Sequence, residues 1–189
     1  TDKGKVYSER VWQLPDESRI GRGVSIVNII NIAHEEQVTA VVPVADFSDV
    51  NYFMLATLKG RVKRVEMSEF ESVRPSGLIA ISLDEDDLLG WVCMTSGENE
   101  IMLITRDGQA LRFAETEVRA MGRQAMGVMG IRLRSGDLLA SMEVVEPDGE
   151  LLVITENGFG KRTKLTEYSP RGRATMGVAT IDKHAFETI

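Results

Sequence analysis

An all-β fold of stacked, propeller-like four-stranded units is predicted by three observations. A turn glycine returns about every fifty residues, apolar runs of strand length flank it, and no long stretch sustains a helical period. The turn dipeptides are Lys3-Gly4, Lys59-Gly60, Asp107-Gly108 and Asn157-Gly158, whose glycines step by 56, 48 and 50 residues. Asp-Gly and Asn-Gly favour hairpins because both central residues of a type I′ turn need positive φ. Each dipeptide is therefore expected to join two antiparallel arms through such a turn.

Ten residues after each turn glycine stands an apolar or aromatic side chain: Leu14, Phe70, Val118 and Tyr168. A second glycine then opens a further strand, at Gly23-Val24, Gly77-Leu78, Gly127-Val128 and Gly177-Val178. Three hairpins are also preceded by an apolar strand, in Val38–Val42, Leu88–Val92 and Leu138–Met142, with Val38, Leu88 and Leu138 spaced by fifty. Strand, hairpin, loop and final strand make up the content of one propeller-type blade. The expected division is a partial unit over 1–33, full units over 34–83, 84–134 and 135–183, and the start of a next element at 184–189. Met67–Phe70 and Ala114–Glu117 are long enough only for single helical turns.

The 43% hydrophobic content is that of an ordinary globular chain. No run of about eighteen apolar residues occurs, and Thr1-Asp2-Lys3-Gly4 is not a signal peptide, so a soluble, cytoplasmic location with no membrane partner is expected. A lone cysteine, Cys93, inside the apolar run Trp91-Val92-Cys93-Met94, reads as a buried structural thiol.

A net charge of −7 argues against a nucleic-acid partner unless the cations are segregated on one surface. The repeat places them at recurring positions. Four residues after the turn glycine stand Ser8, Arg64, Arg112 and Arg162; fifteen after it stand Arg19, Pro75, Arg123 and Arg173, with Arg74 beside the proline. Lys59, Arg61, Lys63, Lys161 and Lys164 cluster with the first set, and Arg22, Arg119 and Arg171 lie in the loops. Carboxylates concentrate elsewhere in the unit, at Glu35-Glu36, Asp84-Glu85-Asp86-Asp87, Glu98 with Glu100, and Glu146 to Glu150. A charge repeated at one place in a stacked unit falls on one rim, so a basic stripe is expected despite the acidic total. The plainer alternative is a set of arginines that are merely solvated.

Gly4-Lys5-Val6-Tyr7, Gln13-Leu14-Pro15, Arg22-Gly23, Ile26-Val27-Asn28, Thr95-Ser96-Gly97-Glu98, Val118–Gly122 and Asn157–Thr163 together resemble the C-terminal domain of the DNA gyrase A subunit. That family forms a β-pinwheel, a bent array of blades; the topoisomerase IV counterpart is the near alternative. The resemblance implies a non-catalytic module that wraps double-stranded DNA on a basic rim, largely without regard to sequence, to support negative supercoiling. It further implies partners in the remainder of the gyrase A subunit and in the gyrase B subunit, which supply the ATP-dependent chemistry, and a place at the nucleoid. The family's Gln-Arg-Arg-Gly-Gly-Lys-Gly box is absent, and the blade bearing it is expected before residue 1. The nearest loops are Arg19–Gly23, Arg123–Gly127 and Arg171–Gly177.

Enzymatic signatures are missing. His34 and His184 lack metal-ligand spacing, Asp84–Asp87 lacks the glycine and terminal glutamate of a calcium loop, and Gly158-Phe159-Gly160-Lys161 is not a phosphate loop. No cofactor, metal or catalytic residue is expected. Trp12, Trp91, Phe113 and the nine methionines read as blade core and filler between blades. The rival classes are a protein-binding propeller scaffold, which lacks its usual Gly-His and Trp-Asp pairs, and a propeller enzyme, which lacks clustered histidines and carboxylates.

Overall fold

Each hairpin grows from a Thr-x-x-Gly turn. In the computed structural model, which describes residues 1–47 and 51–181, the glycine N–H donates to the threonine carbonyl at 3.0, 3.0, 3.0 and 2.9 Å in Thr1–Gly4, Thr57–Gly60, Thr105–Gly108 and Thr155–Gly158. In the last three, the threonine Oγ1 also accepts the N–H of the residue after the glycine, at 3.1–3.3 Å. Only the glycine has positive φ, +73° to +83°; Asp107 and Asn157 do not. The expected type I′ turn is therefore corrected to a type I turn closed by a left-handed glycine. The threonine hydroxyl holds a backbone N–H that a two-residue loop would place differently.

Among the described residues the strands are β1 Lys5–Val6, β2 Tyr52–Thr57, β3 Arg61–Glu66, β4 Leu78–Ile79, β5 Leu89–Thr95, β6 Glu100–Thr105, β7 Gln109–Ala114, β8 Val128–Met129, β9 Leu139–Val144, β10 Glu150–Ile154, β11 Gly160–Lys164 and β12 Val178–Ala179. Two antiparallel four-stranded sheets run β5-β2-β3-β8 and β9-β6-β7-β12, and two pairs run β1-β4 and β10-β11. The fold is all-β, as expected. Among the described residues no helix is long and apolar enough to cross a membrane.

Sheet membership differs from the expected one-unit blade. The β2–β3 hairpin takes both outer strands, β5 and β8, from the following unit, and β6–β7 does the same with β9 and β12. The second recurring glycine permits this crossing. A Cβ at Gly127 would stand 2.4 Å from the Val62 carbonyl oxygen, and one at Gly177 2.3 Å from that of Ala110, both at positive φ. Only glycine lets the returning strand lie so close to the arm it joins.

Because each full hairpin is covered on both faces, its first arm is an unbroken apolar run. Met54 and Ala56 enter one core with Ile101, Leu103, Leu111 and Phe113, while Phe53 and Leu55 enter another with Val65, Met67, Phe70 and Ile81. The period of two thus feeds two cores. A third core joins Met102 and Ile104 to Val145, Leu165 and Tyr168.

The end units depart from this pattern. Gly23-Val24 and Val38–Val42 are not in strands, contrary to expectation. Leu152 and Ile154 of β10 are 60% and 65% exposed, whereas their counterparts Met102 and Ile104 are buried. The expected element at 184–189, with His184, lies outside the described residues.

Candidate nucleic-acid interface

The loop of each later unit is laid across the end of the preceding hairpin. Met121 N donates to Arg64 O at 2.9 Å, and Arg171 N to Arg112 O at 2.8 Å, so two loops occupy equivalent places on successive sheets. This brings Arg119 and Arg123 to the end of β3, and Arg171 and Arg173 to the end of β7. Arg74 lies in the corresponding loop of the second unit. Arg74, Arg119 and Arg171 are exposed.

The recurring arginines fifteen residues after the turn glycine are clamps between units. Arg123 donates to Glu69 O at 3.2 Å and pairs with its carboxylate at 3.5 Å; Arg173 donates to Glu117 O and Met129 O, each at 3.0 Å. Glu69 and Glu117 both stand nine residues after their own turn glycines. That recurring glutamate, one unit before its arginine, is the signal that reveals the clamp in the sequence. Both arginines keep part of their surface open to solvent.

The set four residues after the glycine is more deeply committed. Arg64, with a side chain only 12% exposed, lies 4.6 Å over the Tyr52 ring and 3.7 Å from the buried Glu115 carboxylate. Arg112, at 15%, pairs with Glu100 and donates to Leu165 O at 2.8 Å and Tyr168 O at 3.3 Å. These two expected phosphate ligands are instead sheet fasteners, because carboxylates, an aromatic ring and carbonyls already surround them. Arg162 pairs with Glu150 at 2.8 Å but remains largely exposed.

Lys63 is a plain correction. It is fully buried, its ammonium donating to Ala80 O at 2.6 Å and Arg123 O at 2.5 Å, and no phosphate can reach it. Burial pushes its pKa down to about 8, with Glu69 opposing and Arg123 adding to the shift. Since the unfolded lysine titrates near 10.5, the unfolded chain binds more protons between about pH 8 and 10.5, and Lys63 makes folding more favourable as pH rises through that window. Lys63→Met should cost about 1–3 kcal/mol by orphaning two buried carbonyls. The stability gap to wild type should widen from pH 8 to 10, as urea melts at each pH would show; a constant gap would remove the charge from Lys63.

The acidic cluster does not sit apart from the cations. Asp84 pairs with Arg61 at 2.8 Å, and Lys59 donates to Glu85 O at 2.7 Å. Asp87 accepts from Lys59 N at 3.0 Å, as its counterpart Asp137 accepts from Asp107 N at 3.0 Å, so both cap a hairpin turn. Lys59, Lys161, Lys164, Arg19 and Arg22 are exposed, Lys161 donating at 3.3 Å to Thr180 O. Exposed Arg106, Arg132 and Arg134 give no signal in the sequence because they do not recur from unit to unit.

Cys93 is half-buried, and burial raises its pKa to about 12, so its thiol is not a nucleophile at neutral pH. Among the described residues no group of three or more His, Cys, Asp or Glu is placed to hold a metal ion.

The chain matches the family model described as the DNA gyrase C-terminal domain, a β-propeller, over residues 1–45, 51–89, 99–146 and 149–184. It is 45% identical to the DNA gyrase A subunit of Haemophilus influenzae over 129 residues, and 44% identical to that of Escherichia coli strain K12 over 129 residues. Each match covers 68% of this chain but only 14% and 15% of those relatives. Among solved structures, the C-terminal domain of a DNA topoisomerase IV superposes with a TM-score of 0.87 at 37% identity, covering 94% of this chain and 56% of that one. A DNA gyrase A C-terminal domain superposes with a TM-score of 0.82 at 27% identity, covering 97% and 60%.

Proposed function

Because this chain belongs to the DNA gyrase C-terminal domain family, we propose that it binds duplex DNA along its loop rim and bends it across successive sheets. The supporting observation is the stacked placement of Arg119 with Arg123 and of Arg171 with Arg173, each pair set on the end of a hairpin by the same backbone hydrogen bond. Arg74, Lys59, Lys161, Arg162 and Lys164 extend the set of accessible cations.

Phosphates need cations at a spacing fixed by the fold and take little information from bases, so binding is sequence-tolerant. Bending a site of roughly 20 to 30 base pairs by about 40 to 90° costs on the order of 1 to 6 kcal/mol, which several modest contacts on consecutive sheets offset together. Cleavage and ATP hydrolysis belong, in this proposal, to other parts of a type IIA topoisomerase assembled from the A and B subunits of gyrase. The rim holds and orients the DNA for them, in support of negative supercoiling.

The test is fluorescence anisotropy with a random-sequence duplex across a salt series. Each phosphate contact contributes about −0.9 to the slope of log affinity against log salt, so five or so contacts predict a slope near −4 to −5. Equal affinity for unrelated sequences is expected. No binding at low salt, or binding indifferent to salt, would remove DNA from this rim.

A further inference from the structure

Trp12, which reads in the sequence as core or filler between blades, is 77% exposed on the short 3-10 turn Val11–Gln13. Its neighbours Val11 and Leu14 are also exposed, but for a different reason. Their counterparts are buried in every other unit: Met67, Glu115 and Leu165 for Val11, and Phe70, Val118 and Tyr168 for Leu14. These two residues therefore stand at positions that are inner ones in the later units.

Trp12 is not such a case. It stands eight residues after its turn glycine, where the later units carry Ser68, Thr116 and Thr166, all exposed and polar. Position 12 is thus an outer place of the unit, whereas those of Val11 and Leu14 are inner ones. An indole held outward at a solvent position is an unusual use of a large apolar surface.

The next residue fixes where it faces. Glu69 and Glu117, nine residues after their glycines, meet the loop arginines of the following unit, so the eighth position borders the same rim. At this first seam the clamp is dismantled: Gln13 replaces the glutamate, and Pro75 replaces the arginine it would hold. Arg74 is left exposed, with no carboxylate paired to it among the described residues. Arg10, whose guanidinium lies 5.5 Å over the Trp12 ring, lines a shallow depression with Val44, Ala45, Asp46, Phe47 and Glu71. The turn thus abuts the stretch of chain that leads to Arg74.

We infer that Trp12 is a DNA-contact residue, packing its indole against the sugar and base edges of a bent duplex while Arg10 and Arg74 hold the flanking phosphates. This rests on the proposal that the rim binds DNA. Apolar side chains that enter a deformed groove exploit the unstacking that bending produces, and aromatic contact with bases tolerates any sequence. Arg10 beside the ring, with Arg74 exposed further along the adjoining stretch of chain, supplies the positive charge that favours a phosphate-bearing partner.

The test uses the intact chain and a random-sequence duplex of roughly 20 to 30 base pairs. Trp12→Ala should weaken binding about 5- to 30-fold with an unchanged salt slope, because a ring releases no counterion. Trp12→Phe should recover most of that loss, and Arg10→Ala should instead flatten the slope by about 0.9. In a Trp91→Phe background, where Trp12 is the sole indole, duplex should shield its emission from acrylamide. If wild type binds with a steep salt slope while Trp12→Ala binds equally well, the inference falls and DNA binding by the rim stands; emission left unshielded on saturation with duplex overturns the inference in the same way. If wild type binds no duplex at low salt, both fall.

Discussion

Glu115→Ala should destabilise the chain by about 3–5 kcal/mol, the range seen when one partner of a buried charged network is removed. The Glu115 carboxylate is fully buried and accepts from Thr95 Oγ1 at 2.6 Å, Gly97 N at 2.9 Å and Asn99 N at 2.7 Å, with Arg64 at 3.7 Å. It therefore ties the entry of the β6–β7 hairpin to an arginine of the preceding hairpin. Alanine leaves two backbone N–H groups without an acceptor and a largely buried guanidinium without its carboxylate, whereas Glu115→Gln keeps one acceptor oxygen for those two N–H groups and should cost less, about 1–3 kcal/mol. Glu117→Ala, on the exposed side of the same turn, should cost under about 1 kcal/mol. Urea melts of the three variants read this order directly. Equal midpoints for Glu115→Ala and wild type would show that the network carries no stability.

The triple variant Arg74→Ala, Arg119→Ala, Arg171→Ala should weaken duplex binding on the order of a hundredfold at low salt and make the salt slope shallower by about three units. These side chains are exposed and outside the clamps, so melting should shift by no more than about 0.5 kcal/mol per site. A matched triple, Arg64→Ala, Arg112→Ala, Arg162→Ala, should behave oppositely and lose stability first. Its Arg64 and Arg112 hold Glu115, Glu100 and the Leu165 carbonyl. If the loop variant keeps wild-type affinity and slope while wild type binds, the rim lies on another set of cations. Asp84→Asn frees Arg61 from a direct ion pair, so the same titration should show a modest gain in affinity.

The contrast between those two triples shows why recurrence alone misassigned the arginines. A charge that returns every fifty residues is equally well explained by a rim or by a pair made with the neighbouring unit. The deciding partners are distant: Glu69 lies 54 residues before Arg123, and Glu115 lies 51 after Arg64. Trp12 shows the converse. Composition assigns an indole to the core, and only comparison with exposed Ser68, Thr116 and Thr166 shows that its place in the unit is an outer one.

Whatever depends on a few consecutive residues was determined by the sequence itself. The turn glycines at positive φ, the fifty-residue period, the all-β class, and the apolar side chains ten residues after the turns of the three later units are local consequences of turn chemistry and alternation. Tertiary structure alone decided which strands share a sheet, because strands of equal period are interchangeable until the chain path is known. It sent β5 and β8 back to the preceding hairpin, buried Lys63 against two carbonyls, and set Asp84 beside Arg61. The physical reason is the same in each case: pairing and burial depend on neighbours 17 to 60 residues away, and their identity enters only when the strands and sheets come together.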